Sequence, residues 1–260
     1  MRCKRESPIV DFARSVRAED PGIGARKIWL MAGSVFGKKM LGRDAFYALL
    51  EREGLRLRRP RPRHTTNSNH RYHKYKNLII GYVPCGPNLL WVSDITYIQL
   101  ANGDCCYLHL VTDAYSRKVI GWCVSPTLEA KYTLDALREA ISQAEGYDLS
   151  RLIHHSDRGV QYCCNAYIEE LSSYSINISM TEDYKPTANG IAERVNGIIK
   201  TEKLYREPLY ASIEEAREGI GRFICFYNDK RPHMSIGYQT PSHAHEQTGP
   251  QQRYWKSPFP

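Results

Sequence analysis

Asp94 lies inside the strand-like run Leu90-Trp91-Val92-Ser93-Asp94-Ile95-Thr96-Tyr97-Ile98. Asp157 ends a second apolar run, Leu152-Ile153-His154-His155-Ser156-Asp157, just before Arg158-Gly159. A carboxylate in such a place is costly unless it is hydrogen-bonded or holds a cation. A third acid, Glu193, belongs to the segment Asn189-Gly190-Ile191-Ala192-Glu193-Arg194-Val195-Asn196-Gly197-Ile198-Ile199-Lys200. At 100° per residue Ile191, Val195 and Ile198 form one stripe, while Glu193, Gly197 and Lys200 fall on the opposite side. Lys200 lies only about 20° around the helix from Glu193 and roughly 10.5 Å along it. Gly197 lowers helix propensity by roughly 1 kcal/mol against Ala, which fits a ligand passing close to the backbone there. An ordinary amphipathic helix with a solvated face is the plainer alternative. Three carboxylates without a His or Cys partner suit hard, oxygen-loving ions, Mg²⁺ or Mn²⁺. The simplest reaction such a set supports is metal-assisted hydrolysis.

Asp157 and Glu193 are separated by 35 residues, and a Lys follows the Glu by seven. Two aspartates and a glutamate in this arrangement resemble the acidic triad of the retroviral-integrase and transposase superfamily. Four segments, in order, resemble one branch of it more closely. They are Trp91-Val92-Ser93-Asp94-Ile95-Thr96-Tyr97, His154-His155-Ser156-Asp157-Arg158-Gly159-Val160-Gln161-Tyr162, Ala192-Glu193-Arg194-Val195-Asn196-Gly197 and Tyr227-Asn228-Asp229-Lys230-Arg231-Pro232-His233. The chain is similar, over about residues 20 to 245, to the orfB-type transposases of the "insertion sequence three" family.

The resemblance implies that Asp94, Asp157 and Glu193 are catalytic and bind metal, with two Mg²⁺ or Mn²⁺ ions about 4 Å apart clamping a phosphodiester. It adds strand transfer to hydrolysis: a 3′-OH freed at one site attacks DNA elsewhere. It also implies terminal inverted repeats and target DNA as partners, a homo-oligomer on DNA, a bacterial cytoplasmic location at the nucleoid, and an upstream-frame product or fusion. Sustained heptads, the mark of a coiled-coil segment, are absent here. A nuclease of the same fold that only hydrolyses, and a DNA-binding regulator with relic acids, are the alternatives. Against the regulator stand the intact acids, which decay would strike early.

The net charge of +8 is unevenly spread. Residues 1–76 hold 19 Lys or Arg against 7 Asp or Glu, a net of +12, and the remainder is mildly acidic. Such a front third points to a polyanion, most simply nucleic acid. No run approaches the ~18 uninterrupted apolar residues of a membrane helix. The basic start, Met1-Arg2-Cys3-Lys4-Arg5, has no apolar stretch behind it that would read as a secretion signal. Eight cysteines without a Cys-x-x-Cys read as free thiols of a reducing cytoplasm. His64, His70 and His73 lack cysteines at finger spacing, which argues against structural zinc.

These patterns divide the chain into a helical, helix-turn-helix-like DNA-binding module over 1–56, a basic linker over 57–87, a catalytic core over 88–245 and a tail over 246–260. In the module, helices are expected from Ala25 and after Gly42 to Gly54, with Phe46, Leu49 and Leu50 inward. The exposed Arg26, Lys27 and Arg43, the linker's Arg58 and Arg59, and Lys200 are the expected DNA contacts, the alternatives being a packing module and a solvated tether. Strands are predicted over Trp91–Leu100, Cys105–Thr112, Val119–Ser125, up to Asp157, and over 177–180. Helices are predicted from a cap at Thr127, from about Asn165 to Tyr174, around Glu193 and over Ser212–Tyr227. The order describes an α/β chain compatible with the RNase H-like mixed sheet flanked by helices that the resemblance names. His154 and His155 would face opposite sides of a strand, which favours structural or phosphate-contacting roles over metal ligation. Asp113 reads as a second support to the acids or as a turn residue, and Glu202 as lying off the Glu193 face. The loop Glu182–Ala188 is polar, and the stretch after Pro241 reads as a poorly ordered tail.

Overall fold

Leu90–Gln99 (β1), Cys105–Asp113 (β2) and Val119–Ser125 (β3) form an antiparallel meander in the computed structural model, which describes residues 6–57, 72–182 and 189–251. The first turn, Ala101–Asp104, closes with Gly103 at φ 90°, a conformation that favours glycine. The remaining core elements are Ala130–Gln143 (α4), Ile153–Ser156 (β4), Val160–Cys163 (α5), Asn165–Ser173 (α6), Asn177–Met180 (β5), Gly190–Ile198 (α7) and Ile213–Asp229 (α8). β4 adds to β1 in parallel and β5 to β4, giving the five-stranded order β3-β2-β1-β4-β5. Helix α4 does not begin at a Thr127 cap. The Thr127 hydroxyl donates to Glu129 Oε1 instead, and Glu129 occupies the capping position without a side-chain bond.

Both faces of the sheet are covered, which is why the first four residues of β1 are buried without alternation. On one face Trp91, Val111, Leu137, Leu152 and Tyr167 pack with α4 and α6. On the other, Ile98, Leu108, Leu110, Val195 and Phe223 pack with α7 and α8. Helix α4 lies so close to β3 that a Cβ at Gly121 would come within 2.1 Å of Ala136 O. Among the described residues no helix is long and apolar enough to cross a membrane, and the described cysteines are free thiols.

The front of the chain holds three helices where two were expected: Ser7–Glu19 (α1), Ala25–Phe36 (α2) and Arg43–Arg52 (α3). Pro8 in its first turn and the buried series Ile9, Val10, Ala13 and Val16 build α1. The core of this module also takes in Phe226 of α8, so the module docks on the sheet-bearing body. At the junction Lys27 Nζ lies 3.0 Å from Glu202 Oε1, and Arg231 grips the same carboxylate at 2.6 and 2.8 Å. Lys27 therefore does not stand on the exposed face where it was expected; burial beside Glu202 turns it inward. Nor is the stretch after Pro241 loose through residue 251. Pro241–His245 is a short helix (α9), Gly249 N donates to Cys85 O at 2.7 Å, and Tyr115 donates to Gly249 O at 3.0 Å. Residues 252–260 lie outside the described residues.

Gly22 is the tightest point of the junction, because a Cβ there would fall 1.9 Å from Glu202 Cα. Backbone cannot yield as a side-chain tip can, so Gly22→Ala is expected to cost about 1–3 kcal/mol and to loosen the module. Gly24→Ala, where a Cβ meets nothing within 4 Å, should stay within about 0.5 kcal/mol of the parent. Thermal melts and limited proteolysis of the module check both. Equal stability of the two variants would show that the module does not dock as described.

Candidate active site

Asp94 sits in β1 just beyond the last residue that pairs with β4. The parallel register runs Leu90–Ile153, Trp91–His154, Val92–His155. Carried two residues further, it sets Asp94 beside Asp157, which follows β4 directly. The carboxyl ends of parallel strands are a usual place for ligands in open α/β sheets. Each aspartate is held by the backbone next to it: Ile95 N donates to Asp94 Oδ1 at 2.8 Å, and Gly159 N to Asp157 Oδ1 at 2.9 Å. A Cβ at Gly159 would lie 2.9 Å from that same oxygen, so a larger residue there would push the Asp157 carboxylate aside.

Helix α7 brings Glu193 to the pair from the other side. Val195 and Ile198 are buried in the core, whereas Glu193 is exposed in the first turn, where a negative charge complements the helix dipole. Two asparagines fix the helix to β1. Asn189 Nδ2 donates to Ser93 O at 3.0 Å, and Asn196 Nδ2 to Asp94 Oδ2 at 2.7 Å. Sequence reading passed over both, although an Asn three residues after the Glu, in mid-helix, is a weak helix former whose cost asks for a partner.

Burial pushes the Asp94 carboxyl up to about 6, the neighbouring Asp157 adds to the rise, the Asn196 and Ile95 hydrogen bonds oppose it, and Glu193 adds a little more. The three predicted acids thus share one electrostatic neighbourhood. Among the described residues neither Asp94 nor Glu193 has an ion-pair partner, and no three His, Cys, Asp or Glu side chains already form a metal cage. The approach to Glu193, residues 183–188, lies outside the described residues.

Other predicted residues are placed elsewhere. His154 Nε2 meets Ser93 Oγ at 2.8 Å and Tyr167 OH at 2.9 Å, and His155 Nδ1 meets Ser179 Oγ at 2.8 Å, so both are buried structural groups. Asp113 is a buried turn residue that accepts from Asn88 N and from the amide and hydroxyl of Ser116. Lys200 Nζ stands 5.2 Å from the centre of the Tyr97 ring. Its position does not follow from an ideal α-helix, because a π-helical turn, Ile199–Leu204, succeeds α7. A Cβ at Gly197 would meet nothing within 4 Å, so no protein group demands the glycine. Arg26 lies 5.1 Å over the Tyr238 ring, and exposed Arg43 pairs with Asp44 at 3.0 Å. Arg58 and Arg59 lie outside the described residues.

The segment from Tyr227 to His233 is a brace for the fold. Tyr227 donates to Arg117 O at 2.9 Å, and Asn228 binds both backbone groups of Val119 at 3.0 and 2.9 Å.

A raised carboxyl means that the folded chain holds the Asp94 proton more tightly than the unfolded chain does. Stability is then lost as pH climbs from about 4 through about 6. Asp94→Asn removes this cost: its oxygen still accepts from Ile95 N, and its amide can donate to a flipped Asn196 side chain, whose Oδ1 has no other partner. The metal-free variant is expected to be more stable than the parent at pH 8 by about 1–3 kcal/mol, with the advantage gone near pH 4. Thermal melts across pH check this, and a variant no more stable at pH 8 would place Asp94 in water.

An integrase core domain profile matches residues 84–186, which carry both aspartates, and a second integrase core domain profile matches residues 174–241, which carry the Glu193 helix. A transposase of insertion sequence element IS986/IS6110 from Mycobacterium tuberculosis is 32% identical over 239 residues, covering 90% of this chain and 85% of that protein. The transposase of insertion sequence IS3A from Escherichia coli is 34% identical over 157 residues, 60% of this chain and 53% of that protein. Among solved structures, a chain of the simian T-cell lymphotropic virus intasome in complex with the PP2A regulatory subunit B56 gamma superposes with a TM-score of 0.51 at 17% identity, over 95% of this chain and 79% of that one. That likeness is one of fold, the RNase H-like mixed sheet. With the two profiles spanning the acidic site and a relative aligned along nearly the whole chain, the protein belongs to the IS3-type insertion-sequence transposases with an integrase-like catalytic core.

Proposed function

We propose that Asp94, Asp157 and Glu193 are the catalytic acids of a DNA transposase that cuts the ends of an insertion sequence and joins them to target DNA. The observation that carries this is the Asp94 carboxyl, pushed up to about 6 by burial and by Asp157, at the strand ends that face Glu193. A cluster of carboxylate oxygen donors of this kind fits Mg²⁺ or Mn²⁺ and offers nothing to a softer ion. Asp94, Asp157 and Glu193 would hold two such ions, which when bound supply charge neutralisation and Lewis acidity to the phosphodiester.

The chain's own groups do the positioning. Asn196 and the Ile95 amide fix the two oxygens of Asp94, and Gly159 N fixes Asp157, so the donor set is oriented before DNA arrives. Glu193, exposed and on a separate element, completes the set from across the site. In hydrolysis, water forms the new P–O bond and the freed strand leaves with a 3′-OH. In strand transfer, that 3′ oxygen attacks a target phosphodiester, one P–O bond forming as another breaks. Lys200, standing over Tyr97 near the start of the π-helical turn, holds the 3′ end by a phosphate or base contact. The three-helix module with its basic surface recognises the terminal inverted repeats, and the active form is a homo-oligomer on DNA, with or without an upstream-frame product.

Asp94→Asn, Asp157→Asn and Glu193→Gln should each lower Mg²⁺-dependent cleavage of element-end DNA by more than about a thousandfold while leaving binding largely intact. Cleavage retained in any one of them would remove that residue from the site. Lys200→Ala should fold normally and cut, yet lose strand transfer on the element's own ends, with Lys200→Arg retaining more. Transposition at the parental rate in Lys200→Ala would make the residue solvated surface, worth within about 0.5 kcal/mol.

A further inference from the structure

A cavity of about 330 Å³ opens where the helical module meets the catalytic helix. Arg26 and Lys27 of α2, Arg194 of α7, Arg117 of the β2–β3 turn, and Arg231 and His233 beyond α8 all line it, and no Asp or Glu does. Lys27 and Arg231 are spent largely on Glu202. Arg117 is held by Ser235 Oγ at 3.1 Å and by the Ala114 carbonyl. Arg26 and Arg194 are exposed at the rim, and among the described residues neither has a carboxylate partner. The cavity therefore holds a surplus of positive charge.

It also holds unspent donors. The Arg231 side chain is only 3% exposed, yet its Nη1 has no hydrogen-bond partner. His233 Nε2 is likewise buried and unpartnered. Burial, followed by Arg231, Arg117, Lys27 and Arg194, pulls the His233 imidazole down to about 2, so the ring is neutral. Ser235 Oγ, which accepts from Arg117 Nε, lies 3.0 Å from His233 Nδ1. Ser235 Oγ can donate to Nδ1 while accepting from Arg117, an arrangement that puts the ring proton on Nε2, where it has no partner. Buried donors left unmade cost about 1–3 kcal/mol each, and an anion would satisfy them. The first turns of α2 and α7, neither capped by a side chain, border the same space.

We propose that this cavity seats a phosphate of the DNA backbone, gripped by Arg26 and Arg194 from the two sides of the junction and by the donors of Arg231 and His233. The apolar wall of Ile191, Val195 and Tyr238 suits the deoxyribose carbons on either side of a phosphodiester better than it suits a free ion. Arg194 adjoins Glu193 in the chain but lies about 100° around α7 from it, so a strand seated here is held on the flank of the helix away from Glu193. The anion chemistry rests on the cavity alone, and DNA as its source rests on the transposase reading.

Salt-dependent binding of the full chain, without divalent metal, to a duplex of the element's terminal sequence tests this. Arg26→Ala and Arg194→Ala should each reduce the slope of log affinity against log salt by about 0.9, as one released counterion contact is lost. Arg194→Lys should keep most of the slope. In a series of duplexes with one phosphate neutralised as methylphosphonate, a single position should weaken the parent and have no further effect on Arg194→Ala. Unchanged slopes with no coupled position would overturn the proposal. Thermal stabilisation by inorganic phosphate or a deoxynucleoside monophosphate, lost in both alanine variants while DNA slopes stay unchanged, would assign the cavity to a small anion and overturn the DNA contact. Because the assay needs no cleavage, a chain that never cuts element ends but shows the coupled position would defeat the transposase reading and leave the phosphate seat standing.

Discussion

The Glu202 carboxylate joins three parts of the molecule at one point. It follows helix α7, it receives two hydrogen bonds from Arg231 beyond α8, and it pairs with Lys27 of the front module. Burial works against its charge, but the hydrogen bonds and charge of Arg231, with Lys27 behind, hold the carboxyl down at about 2. Asp20 stands beside it and is driven the other way, up to about 8, by burial and by Glu202 itself. One of the two neighbouring acids is thus ionised and the other carries a proton. A buried pair of this kind adds little net stability over apolar packing, but losing one partner strands the other's charge. Its effect is to fix geometry: the module, α7 and α8 are held in one relative position.

The catalytic end of the sheet is built on the opposite principle. There, among the described residues, neither Asp94 nor Glu193 has an ion-pair partner, with Asp94 beside Asp157 at the end of parallel β1 and β4 and with Glu193 on α7. Asn196 and Gly159 restrict where the oxygens point without neutralising them. The raised Asp94 carboxyl costs the folded protein stability above about pH 6. The paired Glu202 of the junction and Glu193, which has no ion-pair partner among the described residues, lie within one short stretch of chain.

Much of this was legible in the residues because it is local. β3 and β5 have the predicted bounds, and the acids stood out because apolar strands rarely carry carboxylates. What escaped notice depends on contacts between distant residues. The Lys27–Glu202 pair spans 175 residues, and no pattern around Lys27 distinguishes it from exposed Arg26. The first helix was missed because Asp11, Arg14 and Arg17 interrupt its apolar positions in a stretch read only for its charge. Thr127 has the composition of a cap, but a nearby Glu captured its hydroxyl. Asn196 was visible as an oddity, and only the fold shows what it holds.

The π-helical turn over Ile199–Leu204 sets a limit of a different kind. A π turn accommodates one residue more than an α-helix would over the same span. Removing a residue from it would restore regular winding and swing Glu202 away from Arg231 while leaving every side chain of α7 unchanged. Between Glu193 and Glu202 the count of residues is therefore as strictly constrained as their identities. Apart from Glu193, Arg194 and Lys200, substitutions on the exposed side of this stretch should be tolerated, whereas insertions and deletions should not. An alignment that closes a gap here to gain identity would misplace the link between the module and the catalytic helix.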